Sequence, residues 1–229
     1  MIFQKKKNDV YTHINTVIFD MDGVIFDTES VWKEGFTKAN EVFGASVTEE
    51  FRQSNCGKSN LTIRENIRLN YPDINADEYF DFVYDYLNNE IASGNFLLKD
   101  GICDIINHLK KIGCKIGLAT SSRRQRAIAM FQKKNLDFSE MFDAMVFGDE
   151  VGNHLKPDPT IFLLIAEKLG VKPSECIVVE DSINGIKAAV NGGFLPVMVV
   201  DLVQPDNFCR ENAIVLQSLK DIKLLKGLL

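Results

Sequence analysis

Residues 17–24 read VIFDMDGV, an apolar run rich in β-branched residues that ends in two aspartates and a glycine. The run predicts a buried strand, with Asp20 and Asp22 at or just beyond its carboxyl end. In an extended backbone, side chains two residues apart share a face, so the two carboxylates would repel each other unless a cation or a shared proton relieves them. A hard divalent cation such as Mg2+ prefers oxygen ligands of this kind. A simple Asp-Gly turn would account for the same residues, so this stretch alone leaves both interpretations open.

Further apolar strand-like runs alternate with helical stretches along most of the chain. The pattern predicts strands over residues 16–19, 115–119, 144–147, 176–179 and 196–200, and helices over residues 102–112, 123–134, 159–169 and 183–191. This alternation is typical of βαβ units, and it predicts an α/β fold with a Rossmann-like parallel sheet and helices on both faces. Ligands bind such sheets at the carboxyl ends of the strands.

The segment between the first two strands, residues 31–98, shows no strand pattern. Its apolar residues recur at helical spacing over residues 37–43, 61–71 and 78–91. The aromatic run in the last of these stretches favours a helix–helix core over a ligand-stacking site. We therefore predict a helical cap domain over residues 31–98, inserted after the first strand of a catalytic core made of residues 1–30 and 99–229. An insertion that leaves from this edge of the sheet could cover a site there.

The bulk composition argues against several classes of protein. The chain has 229 residues, is 45% hydrophobic and carries a net charge of -6, which allows a large core and argues against a nucleic-acid partner. The first thirty residues lack the features of a secretory signal, and no apolar run reaches the ~18 residues of a membrane-spanning helix. The five scattered cysteines form no CxxC pair, so we expect reduced, mostly buried thiols in a cytoplasmic protein.

Three later segments place polar residues at the ends of other predicted strands. Residues 120–122 (TSS) precede a helix, where hydroxyl and backbone N–H groups can bind an anion or simply cap the helix. Residues 156–159 (KPDP) hold an ammonium in a loop that two prolines restrict, which suits a phosphoryl group or an ordinary turn. Residues 180–182 (EDS) add carboxylates at another strand end, where helix caps would give the same pattern.

The order of these segments is more informative than any one of them, because each follows a successive strand and the strand ends meet at one edge of the sheet. With these motifs the chain resembles the haloacid dehalogenase-like hydrolase superfamily, over residues 20–24 (DMDGV), 119–122 (ATSS), 156–159 (KPDP) and 180–185 (EDSING). The helical insertion is similar to the cap of that superfamily, so the resemblance covers nearly the whole chain. The chain most resembles the β-phosphoglucomutase-like branch, which includes many sugar-phosphate phosphatases.

The resemblance implies a Mg2+-dependent phosphatase that acts through an aspartyl phosphate. Asp20 would be the nucleophile, which splits phosphoryl transfer into two steps. Asp22 would protonate the leaving oxygen and then activate water, and Lys156 would stabilise charge on Asp20 and on the transferring group. The resemblance also implies that Mg2+ is held by Asp20, the backbone carbonyl of Asp22 and Asp181, with Glu180 in the same cluster. The implied phosphate-binding residues are Thr120, Ser121 and Ser122.

Three features bear on which branch the chain resembles. Asp22 favours phosphoryl chemistry over dehalogenation, because a dehalogenase has no leaving alcohol to protonate and typically lacks this second aspartate. Where β-phosphoglucomutases carry a histidine and a cap arginine, this chain has Trp32 and residues 57–60 (GKSN), which favours a plain phosphatase over a mutase. Lys58 in this loop is the candidate cap residue for substrate binding, although a solvated surface lysine is the simpler interpretation.

We expect the substrate to be a small sugar or polyol phosphate, and we expect a monomer with no nucleic-acid or membrane partner. Two alternatives stay open: a β-phosphoglucomutase-type phosphosugar mutase, and a non-catalytic protein that binds a phosphorylated metabolite. The residues that would set substrate specificity in the cap are not identifiable from the sequence.

Overall fold

A computed structural model describes residues 14–56 and 58–225 of the chain. The described residues divide into two compact units. The first unit contains the residues through Phe26 and from Leu98 onward, and the second contains Asp27–Leu97. The roles of the two units as catalytic core and cap stay predictions.

The first unit is built on a parallel sheet. The described residues form the strands β1 (Thr16–Phe19), β2 (Phe26–Asp27), β3 (Leu97–Leu98), β4 (Lys115–Thr120), β5 (Ala144–Phe147), β6 (Cys176–Glu180), β7 (Leu195–Val199) and β8 (Ile214–Leu216). Six of these strands lie side by side in the order β5-β4-β1-β6-β7-β8, and every neighbouring pair is parallel. The predicted Rossmann-like α/β fold is confirmed, while the edge strand β8 was not predicted.

Strand β1 lies in the middle of this sheet. All four of its residues are buried, as expected for a strand that is covered on both faces. Phe19, its last residue, is in register with Leu118 of β4 and Val179 of β6. The residues that follow these parallel strands therefore emerge at one edge of the sheet. The order of the strands also reverses direction at β1, and ligands of open α/β sheets bind at such a point.

Helices cover much of the remaining chain. The described residues form α1 (Thr28–Phe43), α2 (Glu49–Ser54), α3 (Asn60–Asn70), α4 (Ala76–Ser93), α5 (Ile102–Lys111), α6 (Arg124–Lys133), α7 (Phe138–Met141), α8 (Thr160–Leu169), α9 (Ile183–Asn191) and α10 (Asn207–Asn212). Helices α5, α8 and α9 pack against strands of the sheet. The short helices α2, α7 and α10 were not predicted, because six residues or fewer are too short to display a helical period.

The second unit consists of the helices α1–α4, which confirms the predicted helical insertion after the first strand. Helix α1 packs along α4, and the aromatic run of α4 supplies the core between them. Tyr79 and Phe80 are fully buried, and the Tyr79 hydroxyl donates a hydrogen bond to Oδ1 of Asn40 at 2.9 Å. The aromatic residues are thus a helix–helix core, as predicted.

The cysteines differ from the prediction. All five are free thiols. Cys176 and Cys209 are buried, Cys56 and Cys114 are half-buried, and Cys103 is exposed. The expectation of mostly buried thiols was wrong, because cysteine type alone does not say which face of an element a residue occupies. Among the residues that the structure describes, no helix is both long and apolar enough to cross a membrane.

Candidate active site

Four charged side chains meet at the carboxyl edge of the parallel sheet. Asp20 directly follows β1, Glu180 ends β6, and Asp181 follows it. Lys156 comes from the loop that precedes α8, and its Nζ lies 2.6 Å from Oδ1 of Asp20 and 2.6 Å from Oε1 of Glu180. The Lys156 side chain is only 9% exposed, so its ammonium is committed to these two carboxylates.

Glu180 is held on both of its carboxylate oxygens. While Oε1 accepts from Lys156, Oε2 accepts from the backbone N–H groups of Asp181 and Ser182 at 3.0 and 2.9 Å, and from the Ser182 hydroxyl at 2.9 Å. Gly185 leaves the space for this carboxylate, since a Cβ there would lie 1.9 Å from it. The Glu180 carboxylate therefore orients Lys156 and the turn into α9 at the same time.

Asp20, Glu180 and Asp181 form a buried acidic cluster in which one oxygen from each residue lies within 4.8 Å of the others. Gly23 lies against this cluster. Its φ of +76° is one that other residues rarely adopt, and a Cβ there would lie 2.0 Å from Oδ2 of Asp181. The glycine after the two aspartates thus serves both the turn and the close approach of Asp181. The Asp22 carboxylate does not belong to the cluster.

The electrostatics of the site indicate an excess of negative charge. Burial raises the pKa of Asp20 to about 7; Lys156 opposes this shift, and Glu180 and Asp22 add to it. Burial disfavours the ammonium of Lys156, but the adjacent Asp20 and Glu180 outweigh burial and raise its pKa above the usual value. Lys156 stays charged, and a divalent cation would balance the remaining negative charge.

The residues that follow β4 form a compact turn at the same edge. Thr120 is fully buried, and its hydroxyl accepts a hydrogen bond from the Ser122 N–H at 3.0 Å. The Ser121 carbonyl lies so close to Gly148 that a Cβ there would come within 2.0 Å of it. Gly148 also donates from its backbone to the Ser122 carbonyl at 3.0 Å. Residues 148–150 thus hold the turn that carries the predicted phosphate-binding hydroxyls.

The Asp22 carboxylate lies in a second group of side chains. The Ser122 hydroxyl donates to its Oδ2 at 2.7 Å. Arg126 of α6 donates from Nη1 to Oδ2 at 3.1 Å and from Nη2 to Oδ1 at 3.0 Å. Sequence reasoning missed Arg126, and the only available signal was its place within the basic stretch 123–126 after the TSS motif.

Two of the predicted site residues, Lys58 and Ser121, are exposed. Lys58 belongs to the second unit, where it is exposed in the loop between α2 and α3. Its role in substrate binding stays a prediction. Gly57, the first residue of the same predicted loop, lies outside the described residues. Ser121 is exposed at the edge of the sheet, so its side chain is available to a ligand there.

Comparisons with known proteins agree with this arrangement. The haloacid dehalogenase-like hydrolase profile matches residues 14–193. The "Phosphorylated carbohydrates phosphatase" of Thermotoga maritima is 33% identical over 183 residues, which cover 79% of this chain and 82% of the relative. A Drosophila melanogaster protein named "Probable pseudouridine-5'-phosphatase" is 31% identical over 222 residues, which cover 94% of each chain.

A solved structure extends the likeness to the fold. The crystal structure of β-phosphoglucomutase from Clostridium difficile matches with a TM-score of 0.72 and 25% identity, over 94% of this chain and 96% of the other. The resemblance to the β-phosphoglucomutase-like branch and the prediction of a phosphoric monoester hydrolase are confirmed. The profile match and the relatives together show that the chain belongs to the haloacid dehalogenase-like hydrolases.

Proposed function

We propose that the protein is a Mg2+-dependent phosphatase that hydrolyses a small sugar or polyol phosphate through an aspartyl phosphate on Asp20. The observation that carries this proposal is the buried contact of Lys156 with Asp20 and Glu180, beside Asp181 at the carboxyl edge of the sheet. It supplies a nucleophile, a fixed cation and further carboxylates in one place, as phosphoryl transfer requires.

The acidic cluster fits a divalent cation. Its oxygens lie within 4.8 Å of one another, and carboxylate oxygens are the ligands that Mg2+ prefers. We propose Asp20, Asp181 and the backbone carbonyl of Asp22 as ligands, with Glu180 holding Lys156 in the same cluster. When bound, Mg2+ would neutralise the repulsion between the nucleophile and a dianionic phosphate.

In the first step, an oxygen of Asp20 attacks phosphorus and the bond from phosphorus to the ester oxygen breaks. Lys156 donates to Oδ1 of Asp20 at 2.6 Å, which orients the carboxylate and stabilises the charge of the transferring group. The Thr120 hydroxyl and the Ser121 N–H would bind the phosphoryl oxygens, while the Ser122 N–H donates to the Thr120 hydroxyl. Asp22, protonated, gives its proton to the leaving alkoxide.

In the second step, water attacks phosphorus of the aspartyl phosphate, and the bond between phosphorus and the Asp20 oxygen breaks. Asp22 accepts the proton that water loses, which returns it to the state needed for the next first step. Inorganic phosphate leaves and the Asp20 carboxylate is restored. One carboxyl group thus serves as acid and then as base.

The substrate class rests on the relatives. One is named for phosphorylated carbohydrates and another for pseudouridine 5'-phosphate, and both names describe a phosphate carried by a sugar. Trp32 supports a phosphatase over a mutase, because its position is the one where the mutase branch was expected to carry histidine. Trp32 instead packs among the aromatic residues of the second unit, with Phe80 at 6.0 Å between ring centroids.

The first test is turnover of p-nitrophenyl phosphate with MgCl2, which we expect EDTA to abolish. A purified, folded protein that binds phosphate but releases none from p-nitrophenyl phosphate or from a panel of sugar phosphates would instead be a binding protein. Formation of glucose 6-phosphate from β-glucose 1-phosphate would identify a mutase. The monomeric state and the cytoplasmic location stay predictions, which light scattering and cell fractionation can test.

A further inference from the structure

Arg126 makes a two-point contact with the carboxylate of Asp22. Its Nη1 lies 3.1 Å from Oδ2 and its Nη2 lies 3.0 Å from Oδ1. Ser122, four residues earlier in the turn before α6, donates from its hydroxyl to Oδ2 at 2.7 Å and also contacts Nη1 of Arg126. The Asp22 and Arg126 side chains are 30% and 24% exposed, so the pair is partly shielded from water.

We propose that Arg126 is a positioning residue for Asp22, an inference that rests on the acid–base role of Asp22 proposed above. A bidentate guanidinium fixes the plane of a carboxylate as well as its distance, whereas a single donor fixes the distance alone. Asp22 needs such a constraint because it lies beyond the end of β1, in the turn around Gly23, and not within the sheet ladder. When Asp22 carries its proton on one oxygen for the first half-reaction, the other oxygen still accepts from the guanidinium, and the full two-point contact forms with the carboxylate of the second half-reaction.

The surrounding loop holds Arg126 in turn. The carboxylate of Asp149 accepts a hydrogen bond from the Arg124 N–H at 3.1 Å, at the start of α6. The backbone of Gly148 donates to the Ser122 carbonyl at 3.0 Å. Gly148 and Asp149 therefore help to fix where α6 begins, and that start decides which way the side chain of Arg126 points. This gives Gly148 and Asp149 a role after β5, although the proposed chemistry does not use them.

Arg126 cannot replace Asp22 in the reaction. A guanidinium has no acceptor atom and stays protonated in proteins, so it cannot act as a base toward water. Its Nη1 and Nη2 both donate to the Asp22 carboxylate, so we expect its contribution to turnover to pass through that group. If Arg126 acts through Asp22, the effects of mutating the two residues should be non-additive.

The test compares Arg126→Gln and Arg126→Lys with Arg124→Gln as a matched control. Arg124 lies on the same helix, but its side chain pairs with Glu150 at 3.3 Å and stacks on Phe147. Single-turnover phosphoryl transfer is measured with p-nitrophenyl phosphate, whose leaving group needs no proton, and with glucose 6-phosphate, whose leaving group does. We expect Arg126→Gln to slow transfer from glucose 6-phosphate by roughly 10- to 100-fold and to leave transfer from p-nitrophenyl phosphate near the wild-type rate.

Two further readouts separate positioning from a general structural role. Arg126→Lys should recover only part of the loss, because an ammonium cannot bind both oxygens of the carboxylate. In an Asp22→Asn background, Arg126→Gln should add no further loss. Arg124→Gln should leave both rates unchanged.

Equal losses on the two substrates, or full additivity with Asp22→Asn, would overturn the proposal while leaving the phosphatase function intact. If the wild type hydrolyses no phosphate ester at all, the proposed function fails, and the crystal structure of Arg126→Gln still tests the positioning. We expect the Asp22 side chain to leave its wild-type rotamer in that variant. An unchanged Asp22 rotamer would overturn the proposal without any measurement of activity.

Discussion

Nζ of Lys156 lies 2.6 Å from Oδ1 of Asp20, although 136 positions separate the two residues in the chain. Both side chains are 9% exposed, so water screens their attraction little. The same ammonium contacts Glu180 at 2.6 Å and thereby ties the edge after β1 to the end of β6. Removing the charge of Asp20 or of Lys156 therefore changes the protonation of the neighbouring groups as well as the chemistry of the site.

Asp20→Asn should abolish turnover and leave the protein folded. An amide cannot form the aspartyl phosphate, yet it fills the same space and relieves the repulsion from Glu180 and Asp22 that helps to raise the pKa of Asp20. In EDTA at pH 8 we expect the variant to melt at least about 3 °C above the wild type. Differential scanning fluorimetry measures this, with Asp85→Asn, an exposed helical position, as the control. Wild-type turnover in Asp20→Asn would remove Asp20 from the nucleophile role.

The stability of the metal-free protein should depend on pH through Asp20. The folded pKa of Asp20 is about 7, against 3.8 for an unperturbed group, so between these values the folded chain keeps a proton that the unfolded chain has lost. This contribution to stability is complete below pH 3.8 and is lost as the pH rises through 7. The melting temperature of the wild type minus that of Asp20→Asn should therefore fall from pH 5 to pH 8.

Mg2+ should reverse this pH dependence, because the cation takes the place of the proton on the acidic cluster. We expect MgCl2 to raise the wild-type melting temperature clearly at pH 8 and little at pH 5. Asp181→Asn, which removes a charge from the cluster, should weaken the effect at pH 8. The same increase at both pH values would argue against metal binding at Asp20.

Asp22→Asn should slow turnover of sugar phosphates by at least ~10²-fold, since it removes the group that acts as acid and then as base. Mg2+ binding should persist, because the ligand proposed from this residue is its backbone carbonyl. Stopped-flow kinetics measure the loss, and the Mg2+-dependent shift in melting temperature provides the control. An unchanged rate on a poor leaving group would contradict the assignment of Asp22.

The fold, and the edge of the sheet at which the site lies, could be predicted from the sequence because strand ends can be recognised from hydrophobic patterns. Once the strands were parallel, Asp20 and Asp181 had to emerge at one edge, and Lys156 needed only a loop that reached it. Short elements escaped the same reasoning. Strand β8 has three residues, and helix α2 has six, too few to establish a period.

Arg126 could not be found in the same way. Its contact with Asp22 depends on the direction in which α6 presents each side chain, and this direction follows from where the helix starts. The start depends on Asp149, 25 positions from Arg124 in the chain. Four consecutive residues of the stretch 123–126 are polar, three of them arginine, and nothing local distinguishes one arginine from another.

In Gly23→Ala, the loss in the free energy of Mg2+ binding should exceed the loss in the free energy of unfolding. Alanine at φ +76° is strained, and its Cβ would lie 2.0 Å from Oδ2 of Asp181, so that carboxylate must move. Gly152→Ala is the matched control, because Gly152 has φ +59° and nothing within 4 Å of its Cβ position. Isothermal titration with Mg2+ should show weaker binding for Gly23→Ala alone. Equal affinities in the two variants would show that Asp181 does not need its present position to bind the metal.

The last prediction concerns Lys58, whose side chain is exposed in the second unit. Its backbone is anchored: the Lys58 N–H donates to the Asn55 carbonyl at 3.2 Å, and the next residue, Ser59, caps α3 by accepting from the Thr62 N–H at 3.2 Å. An exposed cation on an anchored loop can contact a substrate with little loss of backbone entropy.

If this loop binds the sugar and not the phosphate, Lys58→Ala should reduce kcat/KM for a sugar phosphate by about tenfold and that for p-nitrophenyl phosphate by far less. Lys38→Ala is the control, since Lys38 is an exposed lysine of the same unit that pairs with Glu41. Steady-state kinetics on both substrates decide the matter, because a contact with the phosphate itself would lower both values equally. Equal losses on the two substrates, or no loss on either, would remove Lys58 as a specificity residue.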